Sequence, residues 1–339
     1  MTSNIFQPIF IVGNSRSGTT LMARMLGASP YIYALNELHF FEQLWTETNE
    51  KKNLSRPDAE NLGAKLIAIQ RERYLYYKNP AKYLAESRSM LKELADREPA
   101  MSKVYSTFLT YETNKNNKKL PCEQTPRNVF YIREILRLIP GARIVNMIRD
   151  PRDILNSQKG KWKRRFLGQE VPLRETIRTW FNYHPIIVSQ LWKAAVQTGS
   201  LFENNHQVFT LRFEDLVIQP HEKIQAICSF LGIQFDENML NVGQSGSSNI
   251  MDNENRRGLN PDVLCQWKNK LSKSETYWCQ KINASLMKKY GYSIDKTDPS
   301  ILEILLSLLS LPFKLSFALL FNLNRTHNIA SSIIRRFTY

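Results

Sequence analysis

The run Ile9-Phe10-Ile11-Val12-Gly13 ends in a glycine, crosses a short polar loop, and enters the helical pattern Leu21 to Leu26. No other stretch constrains the fold as tightly. A buried strand that turns into a helix in this way is a building block of parallel α/β sheets, and this loop is shaped for an anion. Gly13 and Gly18 remove side chains where the backbone must bend and approach a ligand. The N–H groups from Ser17 to Thr20 open the helix, lack partners within it, and point at whatever binds there. Ser17, Thr19 and Thr20 add hydroxyls, and Arg16 adds a forked cation suited to phosphate or sulfate oxygens. The plain alternative is an incidental turn rich in Gly, Ser and Thr.

Gly13, four residues, then Gly18 fits the nucleotide-triphosphatase pattern up to its lysine, and the lysine position is Thr19. A loop that keeps the glycines and hydroxyls but loses that ammonium suits a different phosphate ligand. A second anchor follows far along the chain. Arg143 to Ile148 reads as a buried parallel strand, with Arg149 at its carboxyl end, where open α/β sheets bind ligands. Pro151 can open a helix, and Ser157 lies about two turns along it. Arg149 and Ser157 can converge on one further phosphate; alternatively Arg149 pairs with Asp150 or Asp153.

Together these elements resemble the nucleotide-binding parts of the sulfotransferase family, which moves a sulfuryl group from 3′-phosphoadenosine 5′-phosphosulfate (PAPS) to a hydroxyl or amine. Arg16-Ser17-Gly18-Thr19-Thr20-Leu21 resembles the family's 5′-phosphosulfate loop. Arg149-Asp150-Pro151-Arg152-Asp153 with Ser157 resembles its 3′-phosphate site. Asn36-Glu37-Leu38-His39-Phe40-Phe41 resembles the segment carrying the catalytic glutamate in carbohydrate and tyrosylprotein sulfotransferases. Pro121 to Asn128, Leu211 to Leu216 and Arg256 to Asn260 resemble later family segments, the last a loop over the nucleotide. The resemblance spans about residues 6 to 292.

The resemblance implies an α/β fold with a P-loop-like central parallel sheet flanked by helices, helical insertions, and an apolar helical tail outside the family region. It implies a sulfotransferase with PAPS as co-substrate, no metal, and an acceptor hydroxyl on a glycan, lipid, peptide or small molecule. Glu37 is the expected general base, with a pKa raised by burial; its rival is His39, and a helix-starting acid is the plain reading. Arg16 is expected to stabilise charge on the transferring group. The expected cofactor contacts are Arg16, Ser17, Gly18, Thr19, Thr20, Arg149, Ser157 and Arg257. Many members carry Lys where this chain has Gln124, so another cation, Lys103 for example, has to substitute or the acceptor is held differently. Two other functions stay open: a nucleotide kinase, against which Thr19 counts, and a catalytically silent nucleotide-binding protein at a membrane.

Lys and Arg outnumber Asp and Glu by 46 to 31 in 339 residues, a net charge of +15. Such a field attracts anions; PAPS accounts for part of it, and acidic membranes or an anionic acceptor for the rest. Nucleic acid is set aside, since no zinc-finger spacing, RNP-like segment or basic heptad helix is present. The four cysteines form no Cys-x-x-Cys pair and do not cluster with histidines, which argues against a metal and fits a reducing compartment. A cytoplasmic location is expected, because the first strand leaves no room for a signal peptide.

Between the anchors, Pro57–Tyr77 and Pro80–Arg97 read as an inserted helical layer, Asn128–Ile139 as a helix, and Val171–Gly199 as one long helix. Tyr74, Tyr76 and Tyr77 line either an acceptor cleft or a packed aromatic face. The basic run Lys159–Arg165, with Trp162 inside it, follows the 3′-phosphate helix and either flanks nucleotide or acceptor or forms a solvated charged face. Gly243–Arg257 reads as a long binding loop. Residues 1–298 are assigned to the catalytic domain and 299–339 to the tail. Within the tail, Ile301–Phe321 approaches the length of a membrane span, yet Pro312 and three serines favour two short helices on a membrane surface. Arg325, Arg335 and Arg336 would then meet anionic headgroups. The alternative is a hairpin packed on the protein or on a partner.

Overall fold

The computed structural model describes residues 6–74, 76–92, 94, 98–167, 171–243 and 257–322. Arg256 and the tail arginines Arg325, Arg335 and Arg336 lie outside the described residues. Five strands form one parallel sheet: β1 (Ile9–Gly13), β2 (Ile32–Ala34), β3 (Leu120–Gln124), β4 (Arg143–Ile148) and β5 (Val208–Arg212), in the order β2-β3-β1-β4-β5. Strand β1 is central, pairing in parallel with β3 on one side and β4 on the other. Its side chains alternate between two cores. Phe10 and Val12 join a cluster with Phe40, Phe41 and Tyr105, while Ile9 and Ile11 pack with Met22, Leu26 and Val145 on the opposite face. All five β1 residues are buried, as expected of a strand covered by helices on both faces.

The helices that matter for the site are α1 (Thr19–Gly27), α2 (Arg56–Glu72), α3 (Met101–Lys115), α4 (Pro151–Lys159), α5 (Leu173–Phe181), α6 (Pro185–Ser200), α7 (Lys273–Lys289) and α8 (Ile301–Asn322). The expected long helix over 171–199 is two helices. His184 takes extended dihedrals and caps Ile186, and Pro185 starts α6, because a residue before proline is pushed out of the helical region. In the inserted layer, α2 is one helix, and Pro80–Tyr83 is a 3₁₀ turn leading into the short helix Leu84–Met90. Strand β2 is only three residues long, and β3 lacks an apolar pattern, containing Pro121, Glu123 and Gln124.

The tail departs from its expectation. Ile301–Asn322 is one helix with Pro312 inside it, where a proline usually costs about 3 kcal/mol. Contacts on both sides of Pro312 tie the helix to the domain. Before Pro312, His184 Nε2 lies 3.0 Å from the Ser307 carbonyl; after it, Phe317 stacks on Phe181 at 4.6 Å.

Candidate active site

The β1–α1 loop converges on the carboxyl end of β4. Gly13 has φ 145°, and a Cβ there would meet the Met147 carbonyl at 2.3 Å; Gly18 has φ 91°, and its Cβ would meet the Phe213 ring at 2.4 Å. Both positions therefore exclude any side chain. Arg16 is also left-handed, φ 78°, a conformation that costs on the order of 1–3 kcal/mol and persists where surroundings impose it. Two partners hold Arg16 in place. Its Nε donates to Ser157 Oγ at 2.8 Å, and its carbonyl accepts from Arg149 Nη1 at 3.4 Å. Arg149 also donates to the Val263 carbonyl at 3.0 Å, and its guanidinium lies 4.3 Å from the Phe213 ring centroid. Its backbone is fixed by Trp192, whose Nε1 donates to the Arg149 carbonyl.

Asp150 and Asp153 do structural work. Asp150 pairs with Arg152 at 2.7 Å, and Arg152 stacks over Trp267 at 4.0 Å. Asp153 accepts from the backbone N–H groups of Cys265 and Trp267, tying α4 to the segment before α7. The cations above them crowd one another. Burial and the neighbouring Arg164 and Arg149 push Arg16 down to about 9. Burial and then Arg16, Arg178 and Arg164 push Lys161 down to about 7. Two buried polar atoms in this cluster, Ser17 Oγ and Arg149 Nε, have no hydrogen-bond partner. Crowded cations beside orphaned donors fit a bound polyanion.

Glu37 faces this cluster from the β2–α2 connection, which is braced by the core. Leu38, Phe40 and Phe41 are buried, and Phe40 stacks on Tyr105 at 4.0 Å. The Leu38 N–H donates to Glu123 Oε1 and the His39 N–H to Thr125 Oγ1, both at 3.2 Å. Glu123 also accepts from Asn128 Nδ2, and burial pushes its carboxyl up to about 7. So anchored, Glu37 Oε1 accepts from Gln124 Nε2 at 3.1 Å, and Oε2 lies 3.4 Å from His39 Nε2. His39 Nδ1 is 3.5 Å from Glu42, which pairs with Arg127. Burial alone would lower the His39 pKa, but Glu37 and Glu42 lift it to about 9. Burial likewise pushes Glu37 up, yet His39, Gln124 and Lys161 outweigh it and hold the carboxyl below its ordinary value. The expected upward shift is thus reversed, because the cations around Glu37 stabilise its charge more than burial penalises it.

The sequence profile described as the sulfotransferase family matches residues 8–237. The chain belongs to the sulfotransferase family. Relatives include a Caenorhabditis briggsae protein provisionally named a protein-tyrosine sulfotransferase, 24% identical over 279 residues, covering 79% of this chain and 82% of that one. Protein-tyrosine sulfotransferase 2 of Gallus gallus is 23% identical over 278 residues, covering 76% of this chain and 62% of its own. Among solved structures, the sulfotransferase domain from the curacin biosynthetic pathway superposes with a TM-score of 0.51 at 20% identity, over 86% of this chain and 100% of that domain.

In this sulfotransferase the two anticipated phosphate sites form one continuous cluster, since Ser157 and Arg149 both touch Arg16. Ser17 and Thr19 are buried at the start of α1, while Thr20 is exposed. Arg257 is exposed and bridges to Gly243 through its backbone, at the edge of the site. Lys103 is exposed on α3; the cation coupled to both Arg16 and Glu37 is Lys161. The run Lys159–Arg165 is therefore not uniformly solvated. The available signal was nearness in sequence: Lys161 lies four residues after Ser157, just past the end of α4. Of the three tyrosines, Tyr74 reaches the site, 4.6 Å from the His39 ring, and Tyr77 packs behind it. Among the described residues no group of three or more His, Cys, Asp or Glu could hold a metal.

Proposed function

We propose that this sulfotransferase takes its sulfuryl group from PAPS and passes it to an acceptor hydroxyl, with Glu37 as general base. The observation that carries this reading is an ionised carboxylate facing crowded cations, beside two buried polar atoms, Ser17 Oγ and Arg149 Nε, that have no hydrogen-bond partner. PAPS supplies a sulfuryl group whose bond to the 5′-phosphate oxygen breaks, the electron pair leaving with that phosphate, as a new bond forms to the acceptor oxygen. Arg16, Ser17, Gly18, Thr19 and Thr20 hold its 5′ end, with the α1 N–H groups directed at the charge. Arg149 and Ser157 hold the 3′-phosphate; Ser157 Oγ already accepts from Arg16, so its own proton is the donor for the ligand. Arg257 closes the edge of this site.

Glu37 accepts the acceptor proton on its carboxylate, and Gln124 and His39 fix that carboxylate's orientation. Protonated His39 has no lone pair with which to compete as base, and its charge keeps Glu37 ionised. Lys161 supplies the positive charge that family members place at the position of Gln124. Residues 1–298 carry this chemistry, and residues 299–339 serve contact with an anionic membrane surface. The four unpaired cysteines fit a cytoplasmic, reducing location.

Glu37→Gln tests the base. Transfer from PAPS should fall about 10²–10⁴-fold, while affinity for the product nucleotide, 3′-phosphoadenosine 5′-phosphate (PAP), stays unchanged by calorimetry. Turnover at the wild-type rate would remove Glu37 from this role.

A further inference from the structure

Helix α8 turns Phe317 and Phe321 onto Phe181, yet leaves most of its apolar residues on the far side. Its polar side chains face the protein: the Ser310 hydroxyl lies 3.3 Å from His184 Nε2, Lys314 Nζ donates to the Trp180 carbonyl at 3.0 Å, and Asn322 bonds Asn182 and Arg178. Its leucines face outward. Leu302, Leu306, Leu309 and Leu320 are 66%, 57%, 72% and 62% exposed. A helix docked on a protein in water buries its apolar stripe and exposes its polar one; here polar groups are docked while a row of leucines is exposed, which suits an apolar medium on the far side. The patch continues onto neighbouring elements through Phe166, Leu173 and Trp180, also exposed. Contiguous apolar surface on this scale marks an interaction site.

The rim of the patch is basic. Lys163, Arg165 and Arg174 are exposed beside Phe166 and Leu173. The acids on these elements are engaged: Glu175 pairs with Arg178 at 2.8 Å, and Glu303 accepts from Ser300. A two-fold contact between copies would bring two basic rims together, whereas anionic headgroups complement them. The hydrogen bonds along the inner face keep α8 against the domain, which suits a helix lying in the membrane plane.

This patch abuts the active site. Arg178, which bonds Asn322 on α8, is one of the cations that depress Lys161. Lys161 opens the 3₁₀ turn Lys161–Leu167, and Phe166 lies five residues on, about 10 Å along such a turn. We propose that this face seats the enzyme in plane on an anionic bilayer, and that the acceptor is a hydroxyl carried by an amphiphile of that bilayer. The second half rests on the sulfuryl-transfer reading above.

Flotation of the full chain tests the seat, using phosphatidylcholine vesicles with or without a quarter phosphatidylglycerol. The chain should float with the anionic vesicles and far less with the neutral ones. Leu306→Glu with Leu309→Glu should weaken binding roughly 100-fold, and Lys163→Glu with Arg174→Glu roughly tenfold or more. Unchanged PAP affinity in both pairs shows that they fold. Absence of flotation, flotation that neither pair alters, or a solution dimer that the leucine pair dissolves would each overturn the bilayer. For the acceptor, sulfate-labelled PAPS is incubated with the enzyme and membranes of the source cell. Label in the chloroform–methanol extract supports the amphiphile. Label confined to protein or water-soluble fractions refutes the amphiphile and leaves sulfuryl transfer standing. No label in any fraction, with PAP still bound, counts against sulfuryl transfer itself.

Discussion

The anion cluster and helix α8 break the same rule in opposite directions. Around Arg16, polar atoms are buried without partners: Ser17 Oγ and Arg149 Nε are orphaned, and Lys161 sits among like charges. Along α8, many apolar side chains are left in water while Ser310, Lys314 and Asn322 turn inward. Isolated departures from inside-out partition are common. A concentrated departure is costly unless something outside the chain compensates. The kind of departure identifies the missing component, a polyanion in one case and an apolar layer in the other.

The largest effect that would break this contrast is at Arg149. Arg149→Ala removes a charge-assisted contact to the 3′-phosphate, and PAP affinity should drop about 10–100-fold by calorimetry. Unchanged affinity would mean that the orphaned Nε belongs to protein architecture and not to a ligand.

A middle-sized effect sharpens the electrostatic side. Lys161 has its pKa lowered to about 7, so above that pH the free enzyme loses its proton, and a bound anion restores it. PAP binding near pH 8 should therefore take up close to one proton. Calorimetry in two buffers of different ionisation enthalpy measures this uptake, and Lys161→Gln should remove it. In the same variant kcat/KM for PAPS should lose its fall above about pH 7. Uptake that persists in Lys161→Gln would assign the proton elsewhere. Glu37 titrates below its ordinary range and should limit activity only on the acid side.

Arg257 should give the smallest effect. It is exposed, and exposed ionic contacts contribute about 0.2–1 kcal/mol, so Arg257→Ala should weaken PAP binding by no more than about fivefold. A larger loss would place this residue within the cluster and not at its edge.

Much of the architecture was legible in local pattern. The Gly13–Gly18 loop and the strand ending at Arg149 are where the sequence puts them, because glycine, proline and unbroken apolar runs act through neighbouring residues. Strand β3 was not legible. Pro121 and Gln124 carry no strand propensity, and its place in the sheet comes from pairing with β1 and β2. Lys161 and the His39–Glu42–Arg127 support of Glu37 were hidden for a related reason. What a basic run or a lone histidine does depends on partners that only folding brings beside it.

The sequence alone determined which groups are available: a loop that admits an anion, an arginine at a strand end, a glutamate after the first helix, and an apolar tail. Those choices depend on steric and hydrogen-bonding rules that reach over only a few residues. Tertiary structure decided what each group does, because charge and burial depend on neighbours brought from elsewhere in the chain. Folding placed Lys161 beside Arg16, which drives one cation toward neutrality, and wrapped cations around Glu37, which keeps one acid ionised. It also turned the leucines of α8 away from the protein.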